Sequence, residues 1–328
     1  MSQNSSISSS DPASAGARNG KDRPGLYLLV GLSLTALALL ALASFVFDIK
    51  FRNLYATQGR PLVLYQQERL AAAKGTLDTI FVGDSSLGNA ISAKVFDSIA
   101  GTHSINLALS GMFGYAGSFN MLRMALAEHP EIRNVIVMQT AGMMGRPLEW
   151  DGYVLSLPTL SLAEVPLRLL PQAIYTTTLL LLDWRPLFYT SYANKLQFAN
   201  DYVKQGPSIR GTPLDAQEEV DPLNPKKSLF LHEIVRMCRE RHLNCIYVQG
   251  PLRAGLIPLT RRNREAGNNA IRAAGITLAL PEPLPIPEAG LGDSNDHVAP
   301  AFKPKSTAYY SAHIMPFLRS RMRAPGDR

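Results

Sequence analysis

The chain has 328 residues, a formal net charge of +7, and 18% charged against 46% hydrophobic residues. That charged share is below the rough quarter usual for soluble domains, and a local cause is the uncharged, Leu- and Ala-rich run over 25–47, 23 residues long. As a helix rising about 1.5 Å per residue, such a run reaches across the roughly 30 Å hydrocarbon layer of a bilayer. These features exclude a plainly soluble cytosolic protein, and no second run of that length points to a multi-spanning transporter or channel.

The run reads either as an uncleaved anchor or as a signal peptide cut near Ala41-Leu42-Ala43. It exceeds the roughly 7 to 15 residues of a signal core and follows a 24-residue polar tail, so the expectation is a transmembrane helix over 25–47. Arg18, Lys21 and Arg23 before it balance Lys50, Arg52 and Arg60 after it, and the positive-inside rule gives no orientation. Residues 1–24 lack large apolar side chains and are expected to be disordered. Residues 48–74 read as a polar helical stalk with apolar contacts at Leu62, Leu64, Tyr65 and Leu70, 75–322 as the main domain, and 323–328 as a tail.

The positive charges are scattered, without a basic helix or an aromatic-interleaved patch, which disfavours a nucleic-acid binder. The arginines near the C-terminus (Arg319, Arg321, Arg323, Arg328) read as a solvated helix end that also suits anionic lipid. Cys238 and Cys245 fit neither a disulfide framework nor a zinc site. They read as two unrelated thiols, with pairing between a helix end and the next strand as the alternative.

Thr79-Ile80-Phe81-Val82 begins the domain as a buried strand stopped by Gly83, and a helix is expected over 87–99. A second strand follows over 104–109, then a helix over 115–129, then a third strand at Val135-Ile136-Val137-Met138. After a helix over 229–241 come a fourth strand at Cys245-Ile246-Tyr247-Val248, a helix over 261–274, a fifth strand over 276–280, a proline-rich loop and a last helix over 306–322 that contains Pro316. Strands alternating with helices predict an α/β fold, a parallel sheet of five strands with helices on both faces. Residues 145–225 break the rhythm and read as a helical insertion with a small core of its own, or as a surface touching membrane or a membrane-embedded partner.

Open α/β sheets place sites beyond the carboxyl ends of their strands. After the first strand comes Gly83-Asp84-Ser85-Ser86. A serine on such a strand-to-helix turn sits beside helix N-terminal amides able to hold an oxyanion, although Asp84 and Ser85 also suit plain capping. After the second strand, Gly111 leaves room for a substrate and offers an unhindered N–H. Of six histidines, only His297 lies in a loop after the last strand, in Asp293-Ser294-Asn295-Asp296-His297, with carboxylates at hand to orient a catalytic base.

Gly83 to Ser86, Asn106 to Gly111 and Asp293 to His297 together resemble the SGNH, or GDSL, hydrolases. The resemblance covers residues 75–140 and 228–322, and it implies a flavodoxin-like three-layer sandwich. It implies Ser85 as nucleophile, His297 as base and Gly111 as an oxyanion donor with the Ser85 amide. The family's third block offers an asparagine; here the strand ends in Gln139-Thr140-Ala141-Gly142, and the Gln139 amide is the substitute on offer. The family's orienting aspartate stands three residues before the histidine, where this chain has Ser294. Asp293 is the preferred orienter, because adjacent loop residues rarely face each other, and Asp296 stays open.

With the anchor and the missing third block, the sequence is similar to the membrane-tethered branch of that superfamily, which includes proteins of lipoteichoic acid D-alanylation and of alginate and peptidoglycan O-acetylation. The resemblance implies a single-pass protein of the cytoplasmic membrane with its domain outside, acting on an acylated envelope polysaccharide beside a multi-spanning acyltransferase, with no cofactor and no metal. The expected activity is ester hydrolysis or O-acyl transfer through an acyl-serine. The alternative is a catalytically silent scaffold or binding subunit of a polysaccharide-modification complex. A phosphate or nucleotide binder is disfavoured, since the Gly83 turn lacks a Gly-rich phosphate fingerprint.

Overall fold

Five strands form one parallel sheet in the order β2-β1-β3-β4-β6: β1 (Thr79–Gly83), β2 (Ser104–Asn106), β3 (Asn134–Gln139), β4 (Asn244–Gln249) and β6 (Thr277–Leu280). Leu252–Arg253 (β5) and Pro285–Ile286 (β7) pair separately beyond its edge. The structure, a computed structural model, describes residues 25, 27–39, 41–42, 60–140, 142–145, 150–158, 163, 165–182, 207–214 and 228–322. Residues 1–49 and 50–328 are separate units. The expected tails at 1–24 and 323–328 lie outside the described residues.

Every residue of β1, β3 and β4 is buried, because helices cover both faces; such strands read as continuous apolar runs rather than alternating ones. Along the chain the helices are α1 (Arg60–Ala71), α2 (Ser85–Ala90), α3 (Ala93–Ala100), α4 (Gly114–Glu128), α5 (Trp150–Leu155), α6 (Leu170–Leu182), α7 (Ser228–Glu240), α8 (Arg261–Ala274) and α9 (Lys303–Met322). One core layer joins α1, α4, α5, α6 and α7 to Val135, Val137 and Tyr247. The other joins α2, α3 and α9 to Phe81, Ile136, Met138 and Val248. The order is that of a doubly wound sheet whose connections reverse direction between β1 and β3, and a crevice opens at such a point.

The helix expected over 87–99 is two helices. Asp84 caps α2 with its carboxylate, Ser92 caps α3, and the carbonyl of Ile91 between them accepts Asn106 Nδ2 at 2.9 Å. The strand expected over 104–109 keeps its ladder only to Asn106, although the amides of Leu107 and Leu109 still reach the carbonyls of Phe81 and Gly83. α1, read as stalk, buries Leu62, Val63 and Leu70 in the core, and Gln66 Nε2 donates to Ala108 O at 2.7 Å. Leu64 faces outward instead.

Within the insertion, the described helices α5 and α6 share the domain's core rather than building one of their own. Trp150 and Tyr153 pack on Phe230 of α7, with ring centroids 5.1 and 5.0 Å apart. α6 carries no charge and leaves Ile174, Tyr175, Leu179 and Leu182 exposed. The two cysteines, read as unrelated thiols, form a disulfide. The turn from α7 into β4 brings Cys238 and Cys245 to a Cα separation of 6.2 Å, which suits the bond.

Among the described residues no helix is long and apolar enough to cross a membrane. Of the span expected over 25–47, residues 27–39 are described as continuous helix with exposed leucines. Those thirteen residues rise about 20 Å, short of the roughly 30 Å hydrocarbon layer. Most of the remainder lies outside the described residues.

Candidate active site

The turn after β1 is fixed from three directions. Asp84 has extended backbone and is buried; its Oδ1 accepts the Ser86 amide at 3.0 Å and the Ser86 hydroxyl at 2.5 Å. Its Oδ2 accepts the Thr140 amide at 2.8 Å from the end of β3. Gly83 is required here, since a Cβ would stand 1.9 Å from the carbonyl oxygen of Met138 on the neighbouring strand. Burial raises the Asp84 carboxyl above its ordinary value, the negative charge of Asp296 adds to this, and the hydrogen bonds from Ser86 and Thr140 oppose it.

These contacts distinguish the two serines. Ser86 is wholly buried and its hydroxyl is committed to Asp84. Ser85 is half-buried, at the first turn of α2, where helix amides have no partner inside the helix. Its own carbonyl accepts Asn89 Nδ2 at 2.8 Å, which holds the turn.

Gly111 lies half-buried in the turn from β2 to α4. Because the Leu109 amide donates to Gly83 O at 2.9 Å, the chain reaches Gly111 at the same sheet edge that carries Ser85. Gln139 ends β3 but is turned away. It is fully buried, and its Nε2 donates at 2.8 Å to Ser118 Oγ on α4. Its Oε1 has no hydrogen-bond partner among the described residues.

His297 is buried, and its Nδ1 lies 2.6 Å from Asp293 Oδ1. A tight loop closes the chain between Asp293 and His297. The His297 amide donates to Ser294 O at 3.2 Å, the Gly292 amide donates to His297 O at 2.8 Å, and Leu291 bridges Val298. This folds Asp293 back beneath the imidazole. Asp296 stands on the other side, its Oδ1 3.7 Å from His297 Nε2 and hydrogen-bonded to Ser294 Oγ. The two aspartates left open by the sequence therefore occupy different sides of the ring.

Contacts on α9 link this loop to α2. Lys303 Nζ donates to Gly88 O at 2.8 Å, Thr307 Oγ1 donates to Ala90 O at 3.3 Å, and the Ser92 amide donates to Thr307 Oγ1 at 3.0 Å. Lys303 stands in no motif of the sequence, and Ser294, noted there only as the residue in place of an aspartate, turns out to hydrogen-bond Asp296. Thr140 acts through its backbone amide, which no side-chain pattern marks.

No family model matches the chain, and no curated protein matches it. Among solved structures it is similar to an acetyl xylan esterase (Est2A) from the rumen bacterium Butyrivibrio proteoclasticus, at 12% identity and a TM-score of 0.31. The match covers 76% of this chain and 65% of that one, so the chain spans about two thirds of that structure's length. A likeness of that size carries no argument about chemistry, and the functional reading rests on the side chains described above.

Proposed function

We propose that the chain is a membrane-tethered serine esterase or O-acyltransferase of the SGNH kind, acting outside the cytoplasmic membrane on an acylated polysaccharide. The observation that carries this reading is the Asp293–His297 pair at 2.6 Å, in a loop tied to the helix that begins with the one accessible serine of its turn. Ser85 Oγ attacks the ester carbonyl while His297 Nε2 takes its proton, and Asp293 supports the imidazolium through Nδ1–H. The amides of Ser85 and Gly111 receive the oxyanion. The intermediate collapses, the alcohol leaves with the proton from His297, and the acyl group stays on Ser85. Water or a sugar hydroxyl then attacks the acyl-serine, its proton passing to His297 and on to Ser85 as the ester breaks.

The apolar run over 25–47 supports tethering, and the Cys238–Cys245 disulfide supports an oxidising compartment outside the cytoplasm. The uncharged, apolar outer face of α6 suits a multi-spanning acyltransferase as partner. Incubation with an activated aryl acetate and intact-mass measurement tests the chemistry. The expected result is one acetyl group on wild type and none on Ser85→Ala. No adduct on wild type, or an equal adduct on both, overturns the reading.

One observation favours the silent-scaffold alternative. The Gln139 amide is spent on Ser118, which removes the side-chain donor expected at the third block. On that reading Ser85→Ala and His297→Ala leave polysaccharide acylation in cells intact, whereas substitutions on the outer face of α6 abolish it.

A further inference from the structure

We propose that Asp296 is a positioning residue that sets the pH range in which His297 serves as a base, an inference that rests on the acyl-transfer reading for its catalytic meaning but not for its test. With Nδ1–H held by Asp293, a neutral His297 presents its Nε2 lone pair on the side where Asp296 Oδ1 stands 3.7 Å away. Two electron-rich atoms face each other there. Protonation of Nε2 converts that repulsion into attraction, so the carboxylate favours the imidazolium. Ser294 Oγ, hydrogen-bonded to Asp296 Oδ1, holds the carboxylate in place. The ring is buried, and solvent screens the interaction weakly.

The other charged groups described around the loop are engaged in contacts of their own. Asp293 occupies the opposite nitrogen. Asp84 is held toward its neutral form by burial and by Asp296 itself. Lys303 donates to Gly88 O, and the Arg253 guanidinium donates to Glu288 at 2.6 Å, while only its backbone amide touches the loop, at Asn295 O. Asp296 thus stabilises the positive charge that His297 acquires when Ser85 loses its proton. The accompanying cost is a resting base that stays protonated to higher pH, and the free site switches on along an alkaline-shifted limb.

The test is an imidazole NMR titration of the full chain carrying Ser85→Ala, with and without Asp296→Asn, the His297 signal being assigned by its loss in His297→Gln. The midpoint is expected to fall by about one pH unit in Asp296→Asn, a tenfold change in the protonation equilibrium, and to return in Asp296→Glu. Ser294→Ala, which only frees the carboxylate, is expected to give a smaller fall in the same direction and serves if Asp296→Asn fails to fold. Equal midpoints in the parent and in a folded Asp296→Asn protein, or in the parent and Ser294→Ala where it alone folds, overturn the proposal. A shifted midpoint in these proteins, together with no acetyl adduct on the chain that retains Ser85, leaves this inference standing and refutes the acyl-transfer reading instead.

Discussion

Asp84 accepts the backbone amide of Thr140 at 2.8 Å across 56 residues of sequence, and this bond joins the ends of β1 and β3 where the sheet's connections reverse. The turn that carries Ser85 is therefore braced by the neighbouring strand as well as by its own helix. A side chain with two oxygens serves both jobs, since Asp84 uses one to cap α2 and the other to reach Thr140.

Asp84→Asn aims an amide NH2 at one of those donors and is expected to cost about 1–3 kcal/mol. The pH dependence has a definite sign. A carboxyl whose folded pKa is raised stabilises the fold fully below its unfolded value of 3.8, and that contribution is lost as pH rises through the folded value. Urea unfolding of both proteins from pH 4 upward is expected to show their stability difference narrowing. A gap that widens with pH would count against a buried, raised Asp84.

Gly250 leads out of β4 beside the site, and a Cβ there would stand 2.5 Å from Ser86 Oγ and 2.9 Å from Gln139 O. Gly250→Ala is expected to push the Ser86 hydroxyl off Asp84 and to lower aryl acetate turnover by about tenfold, equal to roughly 1.4 kcal/mol. Unchanged turnover in a folded Gly250→Ala protein would show that the Ser86–Asp84 contact does not position Ser85.

Glu233 on α7 receives Arg168 Nε at 2.8 Å and Arg236 Nη2 at 2.9 Å. Burial alone would raise its carboxyl, but these hydrogen bonds outweigh it and hold the group below 4.5. Its stabilising effect is therefore present above pH 4.5 and is lost as pH falls through the lowered folded value. Glu233→Gln is expected to cost about 1–2 kcal/mol at neutral pH and to flatten the acid side of the stability profile. Parallel acid profiles for the two proteins would contradict this.

The disulfide closes a short loop, its cysteines seven residues apart. Removing it with Cys238→Ala and Cys245→Ala is expected to cost about 2 kcal/mol through the unfolded chain's entropy. A thiol reductant is expected to bring the wild-type Tm to that of the double variant and to leave the double variant's Tm unchanged. An equal response of both proteins to reductant would place the effect elsewhere.

The strands were legible because burial on both faces writes them as short runs dominated by β-branched and aromatic residues; Thr79 to Val82 and Cys245 to Val248 read correctly to within a residue at each end. The break at Ile91 was less so. Ser92 is a capping signal, but the apolar spacing continues past it, and the interruption depends on Asn106, a residue from the next strand. Ser85, His297 and their aspartates were visible as residue types at the ends of strands. The choice between the two aspartates was legible only as a preference for Asp293, because the contact with His297 depends on how the loop at Ser294 folds. Gln139 was legible as a polar residue at a strand end, but its partner Ser118 is fixed only by how α4 packs. The disulfide depended likewise on the turn between α7 and β4.

α9 begins six residues after His297 and grips the serine helix through Lys303 and Thr307. Ser85 is therefore made long before His297 and before the residues that hold its helix. On the proposed mechanism, a chain grown only as far as α8 carries the serine without its base and cleaves no ester. Competence on that mechanism waits for α9 to dock on a helix made much earlier.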